Sequence, residues 1–393
     1  MTIRDFSKLT IVTLLAVSSV LVGCTKSTGS VEAPETETPA ADVIKIGVFE
    51  PLTGANAAGG ADELAGIKLA HKLTPTVLGR KIELVIADNK SEQLEAANVA
   101  ATLVQGKKVN VVLGSWGSSL SMSGGSIFAE YKTPAIAMSA TNPSLTKGND
   151  YYFRVCFVDS FQGAVGAAYV FNTLKAKKVA IIREVSSDYA VGLSRFFVNH
   201  FTKLAGDEKA IVAAVDYNSG DREFVKQLSV IKQLNPDAIF IAGNYTESAL
   251  LIRQARALDI NVPFVGGDSW DTAAFLKEGA EAVEGAVFST FFANDAPINK
   301  TSDAFLKAFR KEYQKEPVAV AVLGFDAYNL ALDAITRANS AEPQKIRDAL
   351  AQTKGFEGAA GTITFNANGD AEKPAFFKTV KGGKFVYHSV VEP

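Results

Sequence analysis

The chain has 393 residues, with 40 basic and 42 acidic side chains and a formal net charge of −2. Charges of both signs are mixed along its length with no basic block, which argues against nucleic acid as a partner. Hydrophobic residues make up 47% of it, and a body of about 350 residues is too long for one ordinary core, so two lobes are expected.

The chain opens with Arg4 and Lys8, followed by an almost uncharged apolar run from Leu9 to Val22. A positive start, an apolar middle and a small residue at the end make a secretory signal. The run is shorter than the roughly 20 apolar residues of a membrane-spanning helix. Leu21-Val22-Gly23-Cys24 resembles the bacterial lipobox, whose cysteine becomes the lipid-modified first residue of the mature protein. Residues 1–23 are therefore expected to be a signal peptide and Cys24 a lipid anchor, placing the body outside the cytoplasm. Residues 24–42 are rich in Ser, Thr, Glu, Pro and Ala, with no apolar periodicity. Such a segment cannot offset its ordering entropy by burial, and it reads as a tether with an end-to-end distance of roughly 20–25 Å.

The body alternates strand and helix. Strands are expected at 44–49, 82–87, 109–113 and 135–138, with helices at 61–73, 94–105 and 126–131 between them. Phe153 to Phe157 reads as a buried strand that makes Cys156 a packed, unreactive thiol. The rhythm restarts after Asp159, with helices at 163–174, 191–205, 224–234 and 246–258 and strands at 179–182, 211–215, 238–242 and 263–266. Two long helices follow at 302–314 and 318–339. A closing hairpin at 376–390 turns at Gly382-Gly383. Continuous apolar strands between helices mean parallel sheets covered on both faces, and two such runs mean two doubly wound α/β lobes. Lobe 1 is assigned 43–159 with about 290–365, and lobe 2 160–289 with about 366–393.

Signatures of catalysis are missing. His71, His200 and His388 are far apart and read as surface residues. There is no His-Glu-x-x-His or Cys-x-x-Cys pattern for zinc, no Gly-x-Ser-x-Gly elbow, no Walker A loop and no dinucleotide fingerprint. No enzyme activity, cofactor or metal is expected. The loops beyond the strand ends are more informative, because ligands of open parallel sheets bind there. Gly114-Ser115-Trp116-Gly117-Ser118-Ser119 follows the third strand and Ser139-Ala140-Thr141-Asn142-Pro143 the fourth. Both offer hydroxyls and backbone N–H groups at helix starts, where an anion is favoured. A carboxylate cradle is the expectation; the plainer alternative is that these residues only cap helices.

With these motifs assembled, the body from Ile44 onward resembles the periplasmic binding proteins for branched-chain amino acids, the soluble receptors of ABC importers. The resemblance is carried by Ile46-Gly47-Val48-Phe49-Glu50-Pro51-Leu52-Thr53-Gly54, Ser139 to Pro143, Asp159-Ser160-Phe161-Gln162-Gly163 and Ile252-Arg253-Gln254-Ala255-Arg256. It implies two lobes joined by three crossings that close on ligand like a clamshell. It also implies a carboxylate cradle at Ser118, Ser139, Ala140 and Thr141, with Ser139 where the family often has alanine. By the same resemblance, the Asp159 backbone at the lobe crossing helps hold the ligand's amino group, the Asp268 carboxylate pairs with the ammonium, and Tyr189 covers the ligand from the second lobe. Asn244 aligns with a family tyrosine, with Tyr245 beside it; Trp116, which has no obvious family counterpart, Gly117 and Trp270, close after Asp268, are further candidates. The implied function is capture of an amino acid, aliphatic or branched-chain, and its delivery to an ABC permease by a monomeric, lipid-anchored binding protein. The alternative is a sensor of the same fold for amides or aromatic acids.

Overall fold

The computed structural model describes residues 43–393; the expected signal segment, Cys24 and the tether lie outside the described residues. Residues 43–393 fall within one compact unit. Its elements run β1 (Ile44–Glu50), α1 (Ala57–Leu73), β2 (Thr76–Val77), β3 (Arg80–Asp88), α2 (Gln93–Ala101), β4 (Val111–Gly114), α3 (Ser118–Glu130), β5 (Ala135–Ala137) and β6 (Tyr152–Arg154). A second series follows: α4 (Asp159–Ala168), β7 (Val179–Glu184), α5 (Asp188–Ala205), β8 (Ile211–Tyr217), α6 (Val225–Leu234), β9 (Ala238–Ala242), α7 (Tyr245–Ala257), β10 (Phe264–Gly266), α8 (Ala273–Gly279) and β11 (Val287–Thr290). The chain ends with α9 (Lys300–Tyr313), α10 (Ala319–Ala338), α11 (Pro343–Ala351), β12 (Phe356–Gly358), β13 (Gly361–Ile363), β14 (Ala375–Lys381) and β15 (Lys384–Val391).

The strands form two large sheets, ordered β2-β3-β1-β4-β5-β6 and β15-β14-β11-β10-β9-β7-β8. The first is parallel except for the short β2. The second is parallel from β11 to β8 and carries an antiparallel edge of β14 and β15. Central strands such as β9 are buried at every residue, as expected of strands covered on both faces. Strand order reverses between β1 and β4 in one sheet and between β7 and β9 in the other. Such switch points open a crevice beyond the carboxyl ends of the strands. The chain passes between the sheets three times: after β6, after β11, and between β13 and β14.

Helix α10 is long and apolar enough to cross a membrane, yet 78% of its apolar window is buried inside the protein. It packs along α1, with backbones in close approach. A Cβ added to Gly66 would fall on the carbonyl of Ala321, and one added to Gly324 would fall on the carbonyl of Glu63.

Several expected boundaries shift for local reasons. Helix α3 begins at Ser118 rather than 126 and α4 at Asp159 rather than 163; their polar, small-residue first turns carry no apolar period to read. Strand β6 stops at Arg154, so Cys156 lies beyond it, though fully buried. The short α8, β11, α11, β12 and β13 were not legible as separate elements. His71 is half-buried rather than on the surface. Its Nδ1 lies 2.9 Å from the Tyr328 hydroxyl and the rings meet edge to face. His200 is also half-buried, while His388 is exposed with its Nε2 3.2 Å from the Tyr169 hydroxyl.

Gly66→Ala is expected to destabilise the fold by about 1–3 kcal/mol, the usual cost of overpacking. The measurement is urea unfolding, where the midpoint falls with little change in slope.

Candidate functional site

The two switch points face each other, and the segments leaving the carboxyl ends of β1, β4, β5, β7, β9 and β10 meet in one cleft. A small cavity there is lined by Trp116, Gly117, Ser118, Ser139, Tyr189, Asn244, Asp268 and Ser269. A wider mouth adjoins it, bordered by Asn56, Gln93, Ser119, Glu184 and Ser187 among others.

The lobes are closed on each other. Asn142 Nδ2 donates to the Asp188 carbonyl at 2.7 Å, and the Asp188 N–H donates to Ser119 Oγ at 3.0 Å. The Tyr245 hydroxyl donates to the Ala55 carbonyl at 2.9 Å. The Trp116 and Tyr245 rings meet edge to face across the gap, 5.8 Å between centroids.

On the first lobe, Gly117 takes φ +89°, a conformation that favours glycine, and Ser118 then starts α3. Ser118 Oγ accepts from the Asn142 N–H at 3.1 Å, tying the two serine-rich loops together. The Ser139–Asn142 segment is anchored from behind by Arg154, which is fully buried. Its guanidinium donates to the Ala140 and Asn142 carbonyls at 2.7 and 2.9 Å and pairs with Asp370 at 2.6 Å. Ala140, Thr141 and Asp159 are fully buried just beneath the cavity surface, with the Asp159 N–H on the Thr141 carbonyl at 2.9 Å.

From the second lobe, Ser187 caps α5 through the Ala190 N–H, which sets Tyr189 in the first turn, facing the cleft. Asp268 starts a short 3-10 turn after β10, and its Oδ1 accepts from Gln162 Nε2 at 2.6 Å. Trp270, a sequence candidate, does not line the cavity. It is fully buried and stacks on Phe275 at 4.8 Å, because the 3-10 turn directs it into the lobe core. Tyr245 closes over Trp116 rather than lining the cavity wall.

The cleft collects polar groups that protein partners leave unpaired: both Asp159 carboxylate oxygens, Thr141 Oγ1, Gln162 Oε1 and the Tyr189 hydroxyl. Buried polar atoms are ordinarily hydrogen-bonded. The charges point the same way. Burial raises the Asp268 carboxyl to about 7. Burial, then repulsion from Asp268, holds Asp159 well above its ordinary value, while the Thr141 hydroxyl and Arg154 draw it back. The closed cleft therefore holds two buried acids with no cation paired to either, Asp268 carrying the Gln162 amide and Asp159 carrying no well-formed hydrogen bond to its carboxylate, beside loops rich in N–H and hydroxyl groups. That is the chemistry of a zwitterion site. Cys156, whose thiol burial pushes up, rests against the Ala140 carbonyl. Among the described residues no cluster of His, Cys, Asp and Glu is arranged to hold a metal.

Sequence reasoning missed Ser269, the latch between Asn142 and Asp188, and the anchoring role of Arg154. It also missed two acidic residues under the first-lobe loops, Glu50 and Glu63, both fully buried. An acidic residue on the apolar face of α1, between Gly60 and Ile67, was the available signal for Glu63.

Comparisons with known proteins agree with this geometry. The profile of the periplasmic binding protein family matches residues 43–384. The chain is 29% identical over 355 residues to the Leu/Ile/Val-binding protein homolog 1 of Brucella abortus, covering 88% of this chain and 93% of that protein. The crystal structure of the leucine-binding protein LivK of Thermotoga maritima superposes with a TM-score of 0.86 at 41% identity, covering 89% of this chain and 99% of that one. The branched-chain amino acid substrate-binding protein LivJ of Streptococcus pneumoniae, solved with isoleucine, gives a TM-score of 0.84 at 35% identity over 89% of this chain and 100% of that one. This chain belongs to the periplasmic binding protein family.

Proposed function

We propose that the protein is an extracytoplasmic receptor that captures an amino acid, branched-chain or otherwise aliphatic, and delivers it to an ABC permease without catalysing a reaction on it. The observation that carries this reading is the pair of buried acids beside the hydroxyl-rich loops, Asp159 with neither carboxylate oxygen hydrogen-bonded and Asp268 held by Gln162 without a cation. A zwitterion leaving water needs partners at both ends. Asp268 and Asp159 take the ammonium; Ser118, Thr141 and the N–H groups of the Ser139–Thr141 segment take the carboxylate. Tyr189 covers the ligand from the second lobe. The side chain lies toward Trp116, and Gly117 and Asn244 border it. Cys24 anchors the mature, monomeric protein to the membrane, and the tether holds the body off its surface.

Closure follows from the same charges. In the closed cleft the Asp268 carboxyl titrates near 7, against about 3.9 in water. Holding it ionised there without a cation costs on the order of 4 kcal/mol, enough to bias the ligand-free protein strongly toward the open form. The ligand ammonium removes that cost and shifts the population to the closed form. The sign is fixed by the direction of the shift. A carboxyl raised on closure favours the closed form as pH falls through about 7 and opposes it fully above. Without ligand, small-angle scattering is expected to show a more compact protein at pH 5 than at pH 8; saturating amino acid is expected to remove the difference.

The direct test is calorimetry on refolded, ligand-stripped protein with the common L-amino acids, a short amide and benzoate. Tight binding of Leu, Ile or Val is expected. Asp268→Asn is expected to weaken it by roughly 30-fold or more, from the 2–5 kcal/mol that removing one partner of a buried charge pair costs. Binding of benzoate or the amide with no response to any amino acid would contradict the reading and favour a sensor of another ligand class.

A further inference from the structure

Beneath the first-lobe loops lies a pair of acidic groups that the amino-acid contacts do not use. Glu50 ends β1 and Glu63 stands in the second turn of α1, and both are fully buried. Two neighbouring carboxylates out of water cannot both ionise, because desolvation and mutual repulsion oppose the second charge. Their four oxygens can be accounted for singly. Glu50 Oε2 accepts from the Trp116 N–H at 2.8 Å. Glu63 Oε1 accepts from the Ser139 hydroxyl at 2.5 Å. Glu50 Oε1 and Glu63 Oε2 remain, buried and without a donor, while the two carboxyl groups are in hydrogen-bond contact with each other. One hydrogen between those two oxygens completes all four and leaves the pair with a single negative charge.

We infer that Glu50 and Glu63 share one proton, and that the bridged pair is a positioning device for the ligand cradle. It ties β1 and α1 to both loops at once, through the Trp116 backbone beyond β4 and the Ser139 side chain beyond β5. Because the Ser139 hydroxyl donates to Glu63, it is not available to donate to the ligand carboxylate. The other titratable groups facing the pair are Tyr152 on β6, Cys156 beyond it and Asp268 from the opposite lobe. Tyr152 and Cys156 stay neutral, both being raised chiefly by burial. Asp268 is a smaller influence on Glu63 than burial or the Ser139 contact. Burial raises Glu63 to about 8 and holds Glu50 well above the ordinary carboxyl value. The bridge is thus intact at neutral pH and lost as pH rises through about 8, when two adjacent carboxylates repel and the loops they tie lose register.

The inference rests on the amino-acid reading for its binding probe, L-leucine. Calorimetry at pH 7 and pH 9 compares the wild type with Glu63→Gln and Glu63→Ala. Glutamine reproduces the bridged state permanently: its amide N–H donates to Glu50 and its carbonyl accepts from Ser139. Wild-type affinity is expected to fall from pH 7 to pH 9 by about tenfold more than that of E63Q, since a group titrating near 8 is roughly nine-tenths deprotonated at pH 9. Deprotonation of leucine itself is common to both. E63A is expected to bind weakly at both pH values. Parallel declines in wild type and E63Q would overturn the inference. Infrared spectra of the ligand-free protein give a second reading. The wild type minus E63Q difference is expected to carry a protonated-carboxyl C=O band at pH 7 that is gone at pH 9, and its absence at pH 7 would overturn the inference. If leucine binds the wild type at neither pH, the amino-acid reading fails and the infrared result alone decides the pair.

Discussion

The cost of burying an ionised carboxylate governs this cleft. Asp159 and Asp268 leave water when the lobes close, and the protein supplies Asp268 with one side-chain amide and Asp159 with no well-formed hydrogen bond to its carboxylate. An isolated buried charge is among the most expensive groups a protein can hold. On the reading proposed above, an amino acid brings a cation together with its own compensating anion. Selectivity for a zwitterion and the coupling of closure to binding then have one origin.

The architecture places these charges where they can act. Two parallel sheets each reverse strand order once, and each reversal opens a crevice at the strand ends. Set face to face, the crevices bring helix starts and hydroxyls from one lobe opposite Tyr189 and Asp268 of the other, and on the proposed reading the first set takes the carboxylate and Asp268 the ammonium. Rigid supports stand behind the loops. Arg154 binds the carbonyls of the Ser139–Asn142 segment, and Glu50 and Glu63 reach both first-lobe loops from below. Binding geometry depends on such supporting contacts as much as on the groups that touch ligand.

Much of this was legible in the chain itself. Alternating apolar runs and helical periods marked the parallel sheets, because strands such as Ala238–Ala242 are buried at every residue and read as continuous apolar runs. The serine-rich loops were visible at the strand ends, and most of the expected first-lobe and second-lobe candidates converge on one cavity. The failures have physical causes. The starts of α3 and α4 were hidden because their first turns are polar or small, and those turns are the parts that face the cleft. Trp270 stood two residues from Asp268, but the intervening 3-10 turn sends it to the core. The Glu50–Glu63 pair joins residues from a strand and a helix whose contact depends on tertiary packing, which no local pattern encodes. The latch of Asn142 on Asp188 spans the two lobes and exists only once they close.

The most direct test of the central claim is a crystal structure of the protein with L-leucine at atomic resolution. The account predicts the ligand nitrogen within hydrogen-bond distance of Asp268 and Asp159, and the carboxylate on Ser118, Thr141 and the backbone N–H groups beside them. A ligand bound in the reverse sense, or an ammonium held without either aspartate, would contradict it.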